Sequence, residues 1–224
     1  MRTKTLLLTA ALAAAGAATS MAQSIYSVNA VGYVNKTVVT GFNLVANPFV
    51  VADDSIGTLI PAGSVDHPIS ATVLDDSGVF HANNYDPDPS IGWDFPDQHM
   101  VLGGGIIINN GGAPFTVTFV GEVKQGTPVS NPIPNTSLTP AAPVVVRSSK
   151  VPQAGTLTVL GLLPTQPAHT TQYAADGHTF LPGDYDPDPA IGWTAGVEQT
   201  LGIAEAFYIQ TGAGDNWDRN FTVN

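Results

Sequence analysis

Five aspartates are the residues of this chain whose type and spacing best suit chemistry. They are Asp86, Asp88, Asp184, Asp186 and Asp188. Four of them lie in two matching stretches, YDPDPSIGW at 85–93 and YDPDPAIGW at 185–193, and Asp184 directly precedes the second stretch. Side chains two residues apart in an extended chain point to the same side, so each stretch presents paired carboxylates to one hard cation. With Asp184 included, the second copy reads D-x-D-x-D, a spacing that favours calcium.

The same residues also have a structural interpretation. An Asp side chain accepts a hydrogen bond from the backbone two residues on, and proline fixes φ, so the pattern equally predicts a tight turn before a tryptophan. Pro189 stands where an EF-hand loop needs glycine, and no glutamate occupies the twelfth position, so the segment is not an EF-hand. Calcium binding and a hydrogen-bonded turn both remain open for these loops.

The three tryptophans fall into two groups. Trp93 and Trp193 each follow Ile-Gly in the matching stretches, and this recurrence predicts two core anchors. Trp217 has no counterpart, and it follows Gly-Asp-Asn at 214–216, a sequence typical of a loop. Trp217 is therefore the candidate for surface recognition of a ligand.

Sequence patterns for enzyme chemistry are weak. The chain has no cysteine and no G-x-S-x-G elbow, and its five histidines form no H-x-x-x-H or H-x-H pair. Asp75 and Asp76 are adjacent carboxylates of the kind that glycosidases use, but an acidic pair in an acidic protein is more often a solvated turn. We therefore expect a protein that is not an enzyme.

The matching stretches are separated by 100 residues and belong to an internal duplication. The match continues from GGIIINN at 104–110 to EAFYIQT at 205–211, and from FTVT at 115–118 to FTVN at 221–224. Charged residues make up only 11% of the chain, whereas glycine and proline together number 23 + 18 = 41, a composition typical of short strands and tight turns. The sequence predicts an all-β protein of two tandem β-sandwich-like repeats.

The predicted boundaries are a signal peptide at 1–22, a first repeat at 23–123, a Pro-rich extended connector at 124–141 and a second repeat at 142–224. One short helix is expected over 56–60 in the first repeat, capped by the Asp-Asp-Ser that precedes it. Whether the repeats form two domains or one pseudo-symmetric sandwich is open at this point.

The amino-terminal residues predict export. Arg2 and Lys4 precede an apolar run, and small residues lead up to Ala22, where we expect cleavage by a signal peptidase. Removing the two basic residues changes the net charge from −11 to −13. Such an acidic surface repels phosphate backbones and anionic lipid, so we expect no nucleic-acid partner and no membrane insertion. Without cysteine, stability depends on buried apolar area or metal rather than on disulfides.

Several stretches resemble a widespread group of uncharacterised secreted all-β repeat proteins of environmental Gram-negative bacteria. They are SVNAVGYVN at 27–35, GFNLVANPF at 41–49, LGGGIIINN at 102–110 and FTVTFVGEVKQG ending at 126. The resemblance covers nearly the whole mature chain. It implies export and β structure, and it implies no activity.

These observations predict a non-enzymatic structural, adhesion or interaction protein that is secreted, periplasmic or on the cell surface, with calcium as a candidate stabilising ion. A carbohydrate-binding module is the alternative, and a secreted hydrolase is the third hypothesis. The expected partners are other copies of the chain, paired through edge strands that few lysines protect, or an extracellular glycan.

Overall fold

The computed structural model describes residues 30–136, 144–194 and 198–223. The predicted signal peptide at 1–22 and its cleavage site lie outside these residues. The described chain is built from antiparallel strands and one short helix, so the all-β prediction is confirmed. No helix in these three ranges is long and apolar enough to cross a membrane.

The first copy combines a five-stranded sheet with a two-stranded ribbon. Its elements are β1 (Val31–Val38), β2 (Gly41–Val45), α1 (Ile56–Leu59), β3 (Ile69–Leu74), β4 (Phe80–Asp86), β5 (Gly92–Trp93), β6 (Ile106–Asn110) and β7 (Phe115–Glu122). The sheet has the order β2-β6-β3-β4-β5, and β1 pairs with β7 in the ribbon.

The second copy repeats this arrangement. Its elements are β8 (Gly126–Ile133), β9 (Val145–Ser148), β10 (Gly155–Thr156), β11 (Ala168–Tyr173), β12 (Phe180–Asp186), β13 (Gly192–Trp193), β14 (Thr200–Leu201), β15 (Ala206–Thr211) and β16 (Asp215–Phe221). The sheet order β9-β15-β11-β12-β13 and the ribbon β8-β16 match the first copy strand for strand. The short pair β10-β14 is an addition. The duplication is therefore visible in the topology.

Each copy is a two-layer sandwich in which the ribbon covers one face of the sheet. In the first copy, Phe119 of the ribbon packs in one cluster with Ile106 and Ile108 of β6. In the second, Trp217 of β16 packs with Phe207 of β15. Residues alternate between buried and exposed along β7, as a half-buried strand requires. Burial of these large apolar side chains, at roughly 1.5–3 kcal/mol each, is the main stabilising contribution.

The short helix was predicted at the right place. α1 covers Ile56–Leu59, and its N-cap residue Ser55 makes no side-chain capping bond. The expected side-chain cap is therefore absent, and the first two helical amides, of Ile56 and Gly57, donate instead to the backbone carbonyls of residues 98 and 96 at 2.7 and 2.9 Å. Asp53 orders the turn before the helix by accepting from the Ser55 amide at 2.9 Å. Turns at 157–161 replace the helix in the second copy.

The segment at 124–141 is not simply a connector between the copies. Its residues Gly126–Ile133 form β8, which pairs with the last strand β16, so the second copy begins before residue 142. Pro128 and Pro132 are compatible with this strand because it has a partner on one side only. The pairing also corrects the alignment of the copies. The counterpart of Phe115–Glu122 is Asp215–Phe221 rather than the FTVN at 221–224.

The two copies pack on each other through a reciprocal interface. Ala46, just after β2, donates its amide to the Ala204 carbonyl at 3.1 Å. The equivalent bond runs from the second copy to the first: the amide of Ser148 in β9 donates to the Gly103 carbonyl at 2.9 Å. A third apolar cluster lies between the copies and consists of Leu44, Ala46, Leu74, Ile107, Val146 and Ala206. The contact therefore has the two-fold reciprocity of a symmetric dimer within one chain.

Candidate functional site

The two Asp-Pro-Asp-Pro stretches form hydrogen-bonded corners. In the first copy, Asp86 Oδ1 accepts from the Asp88 amide at 2.9 Å, and Asp88 Oδ1 accepts from the Ser90 amide at 2.9 Å. In the second copy, Asp186 accepts from Asp188, and Asp188 in turn accepts from the amide of residue 190, both at 2.9 Å. Four of the five predicted aspartates thus fold their own backbone, and the turn interpretation is confirmed.

The corners place a tryptophan in each core. Gly92 and Gly192, which precede the tryptophans, have φ of +67° and +62°, a left-handed conformation that glycine adopts without strain. Trp93 Nε1 then donates to the Ile60 carbonyl at 2.8 Å, and Trp193 makes the equivalent bond in its own copy at 3.3 Å. Both indoles are buried, so their assignment to the core is confirmed.

The calcium hypothesis concerns the same carboxylates. The amide of Ser90 and, after it, the Ser90 hydroxyl hold the pKa of Asp88 below its usual range, so this carboxylate is charged at neutral pH. Asp184 is used differently: it lies in β12 and hydrogen-bonds to His169 Nδ1 on the neighbouring strand. Within each corner the first carboxylate binds the backbone amide of the second aspartate, Asp86 that of Asp88 and Asp186 that of Asp188. Calcium binding by these residues stays a prediction.

A group of side chains whose types can bind a metal ion was not predicted from the sequence. Among the described residues, one group of at least three such side chains brings its ligand atoms within 4.8 Å of one another: Asp53, Asp54 and His99. His99 Nδ1 lies 2.6 Å from Asp54 Oδ1. Backbone bonding between Asp54 and Met100 holds the two segments together. The sequence identified Asp53 and Asp54 only as helix caps, and no spacing links them to a histidine 45 residues away.

Trp217 is not a surface residue. It lies in strand β16 rather than in a loop and is only 2% exposed. Its Nε1 donates to the Leu160 carbonyl at 2.7 Å, and its ring meets Phe207 edge to face. The Gly-Asp-Asn before it is a turn sequence, but β16 begins within that tripeptide at Asp215. The indole therefore anchors the second core, and a ligand has no access to it in this structure.

A cleft lies between the two copies, and we call it the inter-copy cleft. It has a volume of about 280 Å³, and its wall includes Lys36, Phe42, Gln172, Tyr173, Thr200 and Glu205. The first copy contributes the first two of these residues and the second copy contributes the other four. Phe42 and Tyr173 stack in parallel across the interface with ring centroids 5.4 Å apart. The cleft thus has an aromatic side and a polar side.

An ion pair joins the two copies on the polar side of the cleft. Lys36 Nζ donates to Glu205 Oε1 at 2.5 Å. Glu205 Oε2 accepts from the Gly202 amide at 2.7 Å and from Gln172 Nε2 at 3.2 Å. Burial raises the pKa of Tyr173, so its phenol is neutral at physiological pH. Among the described residues that line the cleft, the charged ones are Lys36 and Glu205, which bind each other.

The opposite side of the reciprocal interface is packed closely. Asn131 of β8 holds the place in its ribbon that Lys36 holds in β1. Its Nδ2 donates to the carbonyls of Gly103 and Ser148, both at 2.9 Å. A Cβ atom on Gly103 would lie 2.6 Å from the Lys150 side chain, so little space remains there. The copies therefore differ where each ribbon reaches across to the other copy.

Comparisons with protein-family models, with curated proteins and with solved structures give no match for this chain. The functional argument therefore depends on the chain's own residues.

Proposed function

We propose that this chain is a secreted, non-enzymatic protein with a structural, adhesion or interaction role in the cell envelope or the extracellular space. The observation that supports this role best is the outer face of the β1-β7 ribbon. Tyr33 and Val120 are directly opposed across the two strands, and they are 66% and 55% exposed. Exposed apolar and aromatic side chains that lie next to each other are typical of interaction surfaces.

Hydrogen bonds order this face. Thr118 Oγ1 donates to Asn35 Oδ1 at 2.8 Å, and Asn35 Nδ2 donates to the Tyr33 hydroxyl at 2.7 Å. The three residues form a row across the ribbon that fixes the exposed tyrosine ring. A tyrosine that is already held in place loses little conformational entropy when a partner covers it. The row therefore supports a contact surface.

The proposal is tested by expressing the chain with its own leader in a Gram-negative host. Cell fractions show whether it is exported, and sedimentation velocity and retention on cell-envelope material measure interaction. We expect the parent to self-associate or to be retained, and the variant Tyr33→Ser/Val120→Thr to lose that property. Phe80→Ser/Val101→Thr changes two other exposed residues and is the matched control. A cytoplasmic protein, or a parent that stays monomeric and unretained, contradicts the proposal.

Carbohydrate binding is the second candidate function, and the inter-copy cleft is the observation that favours it. Hydrolysis is supported less well. Glycosidases use two carboxylates that flank the scissile bond. Among the described residues that line the cleft, Glu205 is the one carboxylate, and Lys36 and Gln172 hold both of its oxygens.

A further inference from the structure

We propose that the inter-copy cleft binds a neutral sugar, with the aromatic wall against one face of the ring and the polar wall against its hydroxyls. This inference rests on carbohydrate binding, the second of the proposed functions. The volume of about 280 Å³ is just below the range of about 300–1,000 Å³ found for drug-sized ligands. The cleft therefore fits a small ligand such as a single sugar ring, with further units extending into solvent.

The charge of the cleft favours a neutral ligand. Lys36 and Glu205 neutralise each other, and a charged ligand would have to separate them or remain unpaired near them. A hydroxyl group both donates and accepts hydrogen bonds, so it can accept from the remaining ammonium protons and donate to the carboxylate without breaking the pair. A polyhydroxylated neutral ligand has this property at several positions of one ring.

The aromatic wall fits the apolar face of a sugar. Phe42 is 41% exposed even though one side of its ring stacks on Tyr173. Tyr173 is fixed in turn by Phe180, whose ring centroid is 4.7 Å away. Phe42 is thus held in a column of rings that crosses from one copy to the other. Aromatic surface of this kind, rigid and partly exposed beside polar groups, is the usual composition of a small-ligand site.

The duplication supports the assignment because it supplies an internal comparison. If the copies had diverged only to preserve packing, both sides of the reciprocal interface would be filled. Asn131 fills its side with two hydrogen bonds to backbone carbonyls. Lys36, in the corresponding place, reaches a carboxylate at the edge of an open space. The cleft is therefore one of the places where the two halves differ locally.

The experiment is a titration of the intact mature chain with glucose, galactose, mannose, N-acetylglucosamine, cellobiose, maltose and chitobiose, followed by calorimetry and ligand-observed NMR. Glucuronate and glucosamine are the charged comparisons. We expect binding of at least one neutral sugar, and weaker binding of the charged sugars. Phe42→Ala should weaken binding about tenfold through loss of ring contact. Thr200→Val, which removes one exposed hydroxyl without changing the side-chain shape, should weaken it by about two- to tenfold.

Phe80→Ala is the matched control, because Phe80 is also an exposed phenylalanine but does not line the cleft. It should bind as the parent does. If the parent binds none of the sugars, both carbohydrate binding and the cleft assignment are wrong. If the parent binds but Phe42→Ala and Thr200→Val bind equally well, the sugar site lies elsewhere and only the cleft assignment fails. Tighter binding of glucuronate than of glucose would overturn the assignment to neutral sugars.

Discussion

Replacing Gly92 with alanine tests the corner of the first copy, and Gly192→Ala provides its internal control. Both glycines have left-handed φ, +67° and +62°, so an alanine at either position has an unfavourable backbone conformation. The two sites differ in the space around the new methyl group. A Cβ at Gly92 would lie 2.9 Å from the Ala62 Cβ, whereas a Cβ at Gly192 meets nothing within 4 Å.

The expected destabilisation follows from the backbone conformation and from the space around the new methyl group. The left-handed conformation costs an alanine about 1–2 kcal/mol, and the alanine's smaller unfolded-state entropy offsets part of that cost. We therefore expect Gly192→Ala to lower the free energy of unfolding by about 1 kcal/mol. Gly92→Ala has the same backbone cost and adds overpacking of about 1–3 kcal/mol, since its methyl group would lie 2.9 Å from the Ala62 Cβ. Ala62 is two residues after Ile60, whose carbonyl accepts from the Trp93 indole. The total for Gly92→Ala is about 2–4 kcal/mol.

Urea denaturation of the mature chain measures both values, and an unchanged m-value shows that the unfolding reaction is the same. Ala62→Gly removes the opposing methyl group, so Gly92→Ala/Ala62→Gly should recover the overpacking part. In a double-mutant cycle this recovery is a coupling energy of about 1–3 kcal/mol. The reasoning is refuted if Gly92→Ala destabilises no more than Gly192→Ala, or if Ala62→Gly leaves its effect unchanged.

Three further predictions concern metal, acid and the buried indole. The calcium hypothesis requires that calcium raise the melting temperature of the parent but not that of the variant Asp186→Asn/Asp188→Asn. Asparagine keeps the acceptor oxygens of the turn and removes the negative charges. A parent that melts at the same temperature in calcium and in EGTA contradicts the hypothesis. The Thr179 hydroxyl is the main cause that lowers the pKa of Asp176 from 3.8 to about 2. A lowered pKa stabilises the fold above about pH 4, and this stability is lost as the pH falls towards 2. Thr179→Val should therefore show a shallower loss of stability in acid titration followed by circular dichroism, and an unchanged acid profile would show that this bond is unimportant. Trp217→Phe leaves a buried carbonyl without its donor and should cost at least about 1–3 kcal/mol in urea denaturation, whereas an unaffected midpoint would argue against the buried position.

The sequence predicted the fold class, the short helix and the core tryptophans because each depends on local patterns. Alternation along β7, the short apolar run ended by proline and glycine at α1, and Ile-Gly-Trp in both copies are read from neighbouring residues. The turn at the corners follows for the same reason, since an Asp side chain that accepts from the amide two residues on needs no distant partner.

Long-range contacts could not be predicted in this way. The Pro-rich residues Gly126–Ile133 form an edge strand because β16, about 90 residues away, offers a partner. Trp217 is buried for the same reason, although the three residues before it are typical of a turn. The inter-copy cleft combines Lys36 with Glu205, which are 169 residues apart, and no spacing rule links them.

The internal duplication separates structural from functional residues more effectively than the residue types do. The aspartates of the corners attract attention as metal ligands, but both copies use them for the same backbone bonds, which is what a shared folding requirement produces. Lys36 and Asn131 do not stand out as functional residues in the sequence, since each is an ordinary polar residue in a strand. Their side chains nevertheless cross the interface in corresponding places and make different contacts. Asn131 closes the space on its side, whereas Lys36 borders an open cleft. A requirement that applies to one copy alone cannot come from the common fold, and for this reason the search for a ligand is best directed at the cleft between the copies.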